Sequence, residues 1–341
     1  MKSRVSQLFR SNYPSREIST KSSTKRCLIS CPSEDAMTEF EETLIQRMKY
    51  LTPKSEMEVG SLEWIKSAMD CLCAVHVDIL NVMVTLDLSV TTWDEKWIEI
   101  YLDTSAKLLD LCIAFSSEIA RLNQGNLILL CAVHERDRDV RNQITRARSS
   151  FASWNRSISS RNKRMENCSL ILNSIVKKLE SPKTKISAQG KVRMSGMYGM
   201  QVLSAFVCGV IGSIFTGESA NMVEFRVPDT YKWSAVYNDL QRSANGGLKK
   251  LSAEREGALL NELKAVEDTM RKSTGFEKEW LRELREGVEG LSNGFDTLES
   301  LVNGIFKVVL DGRDGLLATL RSSTNVQFQM RIPNLKQQSV M

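Results

Sequence analysis

Apolar and polar positions follow a helical period along almost the whole chain. Residues 36–51 form a first amphipathic stretch that ends before Pro53, and a second stretch begins at Ser61. In the second, one histidine and five apolar residues recur at spacings of three and four, at Ile65, Met69, Leu72, His76, Ile79 and Met83. This spacing places them on one face of a helix, and no segment shows the two-residue period of a strand. We therefore predict an all-α fold, a multi-helix bundle with long antiparallel helices.

The middle of the chain predicts further amphipathic helices. Thr92 and Glu95 have the spacing of a capping box, which predicts the start of a helix that Gly125 interrupts before residues 127–133 continue it. Another helix is predicted over residues 168–179, followed by a basic, polar linker over 181–193. A helix from Tyr231 is expected to break at residues 245–247, where Asn-Gly-Gly occurs.

The C-terminal third carries the most regular pattern, a heptad-patterned helix over 276–310. Its apolar positions alternate at spacings of three and four, at Leu281, Leu284, Val288, Leu291, Phe295, Leu298, Val302, Ile305 and Val309. Four glycines lie within this seam, and each is less favourable than alanine in a helix by about 1 kcal/mol. Packing inside an intramolecular bundle is therefore favoured over a free-standing coiled coil. Residues 323–341 are expected to form a disordered tail.

One segment, residues 194–217, contains no charged residue and lies between Arg193 and Glu218. An apolar run of about 20 residues is long enough to cross a bilayer. Its many glycines and Gln201 are equally typical of a helix buried in a bundle, which is the favoured interpretation, with a membrane-embedded helix as the alternative. Small residues recur every four positions and predict a face for close helix packing, at Ser204, Ala205, Cys208, Gly209 and Gly212.

Composition adds a prediction for the N-terminus. Residues 1–33 are rich in Ser and Thr and carry seven basic residues against one acid, Glu17. This composition fits an organellar transit peptide and fits a disordered tail equally well, so residues 1–35 are assigned to one of these two. Most of the eight cysteines lie within helical segments, which favours free thiols in a reducing compartment over disulfides.

The sequence shows no recognisable catalytic motif, and no cofactor or small-molecule substrate is indicated. The tetrapeptide Cys-Ala-Val-His nevertheless occurs twice. If its two helices packed side by side, Cys73, His76, Cys131 and His134 would offer a tetrahedral zinc site. Two core helices rich in small residues explain the same pattern, and this interpretation without a metal is favoured.

Residues 140–165 contain seven Arg or Lys and no acid. The candidates for contact with an anionic surface are Arg141, Arg146, Arg148, Arg161 and Arg164. A solvated helix face is the favoured interpretation, and contact with an anionic membrane is the alternative. Nucleic acid is not expected as a partner, because the net charge of +5 is mild and no nucleic-acid-binding motif is present.

Several blocks of sequence together resemble the plant BYPASS family. They occur in the family's order within a helical domain over residues 36–322, at 93–134, 166–179, 181–198, 291–296 and 311–322. The resemblance implies a plant protein without known enzymatic activity that restrains production of a root-derived mobile signal affecting shoot and root growth. It also implies a plastid or endomembrane location, depending on the member, and a link between relatives and the exocyst. It transfers no functional residues.

Pattern and resemblance together predict a non-enzymatic developmental regulator that binds protein partners through helical surfaces. We expect it in the plastid, with the endomembrane system or the cytoplasm as alternatives. A membrane-associated adaptor in vesicle trafficking is the alternative function. An unrecognised helical enzyme that uses the paired Cys-Ala-Val-His units is a third hypothesis.

Overall fold

The computed structural model describes residues 32–85, 95–134, 139–179, 188–218, 224–254, 257–272 and 277–330. Within these ranges the chain forms nine α-helices and no strand, which confirms the prediction of an all-α fold. The helices are α1 (Pro32–Leu51), α2 (Leu62–Thr85), α3 (Glu95–His134), α4 (Val140–Ile158), α5 (Cys168–Val176), α6 (Ala188–Thr216), α7 (Ser234–Glu254), α8 (Asn261–Arg271) and α9 (Glu277–Met330). Two short 3-10 helices, Glu58–Gly60 and Met165–Asn167, precede α2 and α5.

The two longest helices, α3 and α9, form an antiparallel pair along the bundle. Arg313, in the C-terminal half of α9, donates to the carbonyl oxygen of Leu102 in the N-terminal part of α3. At the opposite end, Arg285 donates to the carbonyl oxygen of Val133 over 3.1 Å. The 54 residues of α9 extend about 80 Å, so this helix also contacts α2, α4 and α8.

The heptad seam of α9 lies inside the bundle. All nine apolar positions from Leu281 to Val309 are buried, none more than 5% exposed. The seam therefore packs against other helices of the same chain rather than forming a free-standing coiled coil. The helix does not end near residue 310, because α9 continues to Met330 and so enters the range for which a tail was predicted.

Two predicted interruptions were wrong, since α3 continues through Gly125 and α7 continues through residues 245–247. In both helices a glycine lies where another part of the chain approaches closely. A Cβ at Gly125 would be 2.9 Å from Ser157 Oγ, and one at Gly247 would be 2.3 Å from the carbonyl oxygen of Glu56. Glycine serves close packing here, and tertiary contacts outweigh its low helix propensity.

Several helix ends also differ from the predictions. Helix α1 begins at Pro32 rather than at residue 36, and α7 begins at Ser234 rather than at Tyr231. Helix α6 begins at Ala188, so the last residues of the predicted linker are helical. Thr92 and the rest of the predicted capping box before α3 lie outside the described residues, apart from Glu95.

Helix α6 occupies the centre of the bundle. It contacts α1, α2, α3, α5 and α7, so neighbours surround it on all sides. A helix enclosed in this way must be apolar around its whole circumference. This requirement explains why the segment without charged residues became the central helix.

Candidate functional site

The central helix α6 is the segment of the described chain long and apolar enough to cross a membrane. Over Met194–Thr216 it carries no charged residue, yet 94% of its most apolar 18 residues are buried inside the protein. The apolar surface that lipid would cover in a membrane span is covered here by other helices. The small residues predicted to form a packing face, Ser204, Ala205, Cys208, Gly209 and Gly212, are all buried.

Two polar residues of α6 have side-chain partners on neighbouring helices. The Nε2 atom of Gln201 donates to Thr104 Oγ1 over 2.7 Å, and His76 Nε2 lies 3.1 Å from Ser204 Oγ. The Ser204 hydroxyl donates its hydrogen to the carbonyl oxygen of Met200 over 2.7 Å. His76 therefore donates from Nε2, which assigns the Nε2–H tautomer of the neutral ring. Complete burial lowers the pKa of His76 to about 4, so the ring is uncharged at neutral pH.

The thiols near α6 are buried and unreactive. Burial raises the pKa of Cys112 to about 12 and that of Cys168 to about 11, and it raises the pKa of Cys208 well above its usual value. Since the thiolate is the reactive form, these side chains behave as small apolar residues. No disulfide joins any of the six cysteines in the described ranges.

The structure does not bring the four candidate zinc ligands together. Cys73 and His76 are buried on α2, where the His76 imidazole meets Ser204. Cys131 is exposed on α3, and His134 Nε2 lies 2.9 Å from Glu289 Oε1 on α9. Among the described residues no group of three or more His, Cys, Asp or Glu side chains is arranged to hold a metal ion.

Helix α4 carries the predicted basic surface. Its buried side, which includes Trp154, packs against α3 and α9, and its outer side bears the arginines. Positions 141, 148 and 156 follow one another at spacings of seven and eight, so their side chains lie on one exposed side of the helix. We call Arg141, Arg148 and Arg156 the cationic face. The predicted candidates did not include Arg156, although its spacing from Arg148 was visible in the sequence.

Intramolecular contacts restrain some of the candidate arginines. Arg141 Nε lies 3.7 Å from Glu277 Oε2, and Arg161 Nη1 lies 3.2 Å from Glu218 Oε1. The Arg148 guanidinium lies over the Trp280 ring, 5.6 Å from its centre, in the geometry of a cation–π contact. Of the remaining two candidates, Arg146 is half-buried and Arg164 is exposed.

A buried ion pair on α3 fixes the end of α4. Glu118 is only 2% exposed and pairs with Arg121. Arg121 Nη1 also donates to the carbonyl oxygens of Ser157 and Ile158, at 2.5 and 3.2 Å, and to Ser160 Oγ at 3.0 Å. A cation at the C-terminal carbonyls of a helix interacts favourably with the helix dipole. Sequence analysis missed this contact, because it depends on residues 36 to 39 positions apart.

These features define a class: an all-helical bundle whose described residues show no metal-binding cluster. Comparison with known proteins identifies the family. A family model described as Protein BPS1 matches residues 61–317, and the chain belongs to this family. The BYPASS resemblance is thereby confirmed.

Individual relatives agree with this assignment. The chain is 37% identical over 306 residues to Protein BPS1, chloroplastic, of Arabidopsis thaliana, which covers 88% of each chain. It is 35% identical over 243 residues to UPF0496 protein 4 of Oryza sativa subsp. japonica, covering 70% of this chain and 53% of that protein. The UPF0496 protein 4 of subsp. indica is also 35% identical, and the chain spans about half the length of both rice proteins. No solved structure matches the chain.

Proposed function

We propose that the protein is a non-enzymatic developmental regulator that restrains production of a root-derived mobile signal affecting shoot and root growth. The observation that carries this proposal is the extent of the family match. Residues 61–317 run from the start of α2 into the C-terminal half of α9, and so include the central helix, all of α3 and most of α9. A match that extends from α2 to α9 supports a role shared with the family more strongly than a match over one helix would.

The regulator acts through protein partners that bind its helical surfaces. Helix α6 is enclosed on all sides and α9 buries its seam, so the exposed outer sides of the surrounding helices, among them α3, α4 and α9, remain for partners. Three of these helices are fixed by side-chain contacts to their neighbours, such as those of Arg121 and Arg285. A rigid arrangement of this kind presents a defined surface, which limits the conformational cost of binding.

Grafting tests the regulatory function directly. Roots that lack the gene for this chain and its paralogues are grafted to wild-type shoots, and shoot growth is measured against the reciprocal graft. The proposal expects arrested shoots only above mutant roots, and expects the wild-type coding sequence in those roots to restore growth. Normal shoots above roots without any paralogue would contradict the proposal.

A matched variant separates this role from metal-dependent catalysis. Cys131→Ser with His134→Gln removes two of the four candidate zinc ligands at exposed positions, so the fold is little affected. A non-enzymatic regulator carrying both changes restores growth as well as the wild type does. Loss of complementation by a correctly folded double variant would favour the enzyme hypothesis instead.

We further propose that the protein acts in the plastid. The composition of residues 1–35 supports this location, and the Arabidopsis relative carries the word chloroplastic in its name. Residues 1–40 fused to a fluorescent reporter are expected to direct it into plastids. A reporter in endomembranes or spread through the cytoplasm would support those alternative locations instead.

A second candidate function is that of a membrane-associated adaptor in vesicle trafficking, linked to the exocyst. The exposed arginines of α4 support it, whereas α6 is already covered by the protein and is not needed for it. Such an adaptor would sediment with membranes, be released from them by alkaline carbonate, and co-purify with exocyst subunits. A protein found wholly in the soluble fraction without exocyst subunits would contradict this function.

A further inference from the structure

The outer side of α4 is a surface of almost entirely positive charge. Between Val140 and Met165 there are seven basic residues and no acid, and Asp139 and Glu166 flank this stretch. Arg148 and Arg156 belong to the cationic face and are exposed, and so are Lys163 and Arg164 beyond the helix end. Within the described ranges none of these four side chains forms an ion pair with a carboxylate.

In the part of the chain that the structure describes, the two acids that pair with this surface lie at its ends. Glu277 lies near Arg141 and Glu218 lies near Arg161, in pairs whose arginines are both 81% exposed. Exposed ion pairs of this kind contribute little, because water and salt screen them. An anion outside the protein can therefore compete for both arginines, and Arg148 and Arg156 have no carboxylate partner to displace among the described residues.

The shape of the surface favours a flat partner. The side chains between the arginines are short and neutral, at Thr145, Ser149, Ala152 and Ser153, and all four are exposed. Along the helix axis Arg141 and Arg148 are about 10 Å apart, and Arg148 and Arg156 about 12 Å. Within residues 140–158, all of which the structure describes, no exposed aromatic ring is present to stack on a nucleic-acid base, since Trp154 is fully buried and Phe151 stacks on it.

We propose that the cationic face of α4 binds the surface of a membrane that contains anionic phospholipids. The guanidinium groups reach the lipid phosphates while α4 lies parallel to the membrane and no helix inserts. The cation–π contact with Trp280 and the Arg121 contacts at the helix end fix α4 on the bundle, so the arginines approach the membrane together. This contact adds a membrane-binding surface to the adaptor function proposed above. It rests on that function only because both name a membrane as the partner.

Vesicle flotation of the full chain tests the contact. The probes are vesicles of phosphatidylcholine alone and vesicles of phosphatidylcholine mixed with phosphatidylglycerol. The wild type is expected to float with the mixed vesicles at about 0.1 M salt and to be released at about 1 M salt. Each basic residue near an anionic surface contributes about a fivefold gain in affinity, so Arg148→Gln with Arg156→Gln should weaken binding about 30-fold.

The control variant removes the same charge elsewhere. Arg226→Gln with Arg242→Gln alters two exposed arginines before and within α7, and this pair should bind vesicles as the wild type does. Equal loss in both double variants would show that only net charge matters and would overturn the proposal. Absence of wild-type binding would overturn it too, as would tighter binding of the cationic face to an oligonucleotide than to vesicles. The developmental role is decided separately by the grafting experiment.

Discussion

Two neighbouring glycines of α7 should respond to alanine in opposite directions. Gly246 has no atom within 4 Å of the position that a Cβ would occupy. At Gly247 a Cβ would lie 2.3 Å from the carbonyl oxygen of Glu56 and 3.2 Å from its carbonyl carbon. These are backbone atoms in the connection between α1 and α2, where Asn261 also donates to the carbonyl oxygen of Met57 over 2.6 Å.

The expected magnitudes follow from helix propensity and overpacking. Alanine is favoured over glycine in a helix interior by about 0.5–1 kcal/mol, so Gly246→Ala should raise the free energy of unfolding by that amount. Gly247→Ala gains the same term but must displace the Glu56 backbone, and overpacking of this kind costs about 1–3 kcal/mol. The second variant should therefore be less stable than the first by about 1–3 kcal/mol.

Urea denaturation followed by circular dichroism measures both variants against the wild type. The midpoint should rise for Gly246→Ala and fall for Gly247→Ala, with an unchanged dependence on urea concentration. A similar rise in both variants would refute the reasoning, because it would mean that the connection between α1 and α2 does not contact α7 closely.

Three further outcomes are expected from the central helix and its neighbours. Phe206→Ala, at a position with 0% exposure, should lower the free energy of unfolding by about 3–5 kcal/mol in detergent-free buffer. Leu170→Ala, at 68% exposure, should change it by less than about 0.5 kcal/mol, and equally small effects of both variants would contradict burial of α6. Thr104→Val leaves the Gln201 amide without its acceptor and should lower the free energy of unfolding by about 1–3 kcal/mol, part of which is recovered when Gln201→Leu is added. Additive losses of stability in a double-mutant cycle would show that the hydrogen bond is absent. Burial lowers the pKa of His76 to about 4, so the unfolded chain binds this proton more readily than the folded one, and the free energy of unfolding should fall by about 3 kcal/mol as the pH drops from about 6.5 to 4. The urea midpoint should fall less steeply with pH over this range in His76→Gln, and the same pH dependence in the variant and the wild type would contradict the assignment.

Periodicity predicted the helices well because burial repeats along each helix. The seam of α9 and the stripe of α2 were visible as spacings of three and four, and every position of both is buried. The same local signal failed at Gly125 and Gly247, where the sequence shows a residue of low helix propensity but not the chain segment that packs against it. Helix continuity at these positions depends on contacts between distant residues, which no pattern along the chain records.

The candidate site residues show the same division between local and distant information. The two Cys-Ala-Val-His units have identical sequences, yet one histidine meets Ser204 in the core and the other meets Glu289 at the surface. The run of basic residues predicted a charged surface on α4. It did not reveal that Trp280 and Glu277 of α9 would contact two of its arginines.

Length and hydropathy alone did not decide between a membrane span and a core helix at residues 194–217. An apolar segment passes the same test whether lipid or protein covers it. The structure shows a core helix, because five helices surround α6. The apolar face of each of these helices was predictable from the sequence, but their arrangement around α6 was not. The buried pairs of Gln201 with Thr104 and of Ser204 with His76 then explain how polar residues are accommodated in this helix.

Amide hydrogen exchange across α6 tests the central claim that the uncharged helix is the core of a bundle. The full chain is purified without detergent, and exchange is followed by mass spectrometry with and without vesicles. Peptides from Met194 to Thr216 should exchange among the slowest in the chain, near the rate of global unfolding, and vesicles should leave them unchanged. A chain that stays dispersed only in detergent, or an α6 that gains its protection only when vesicles are added, would contradict the account.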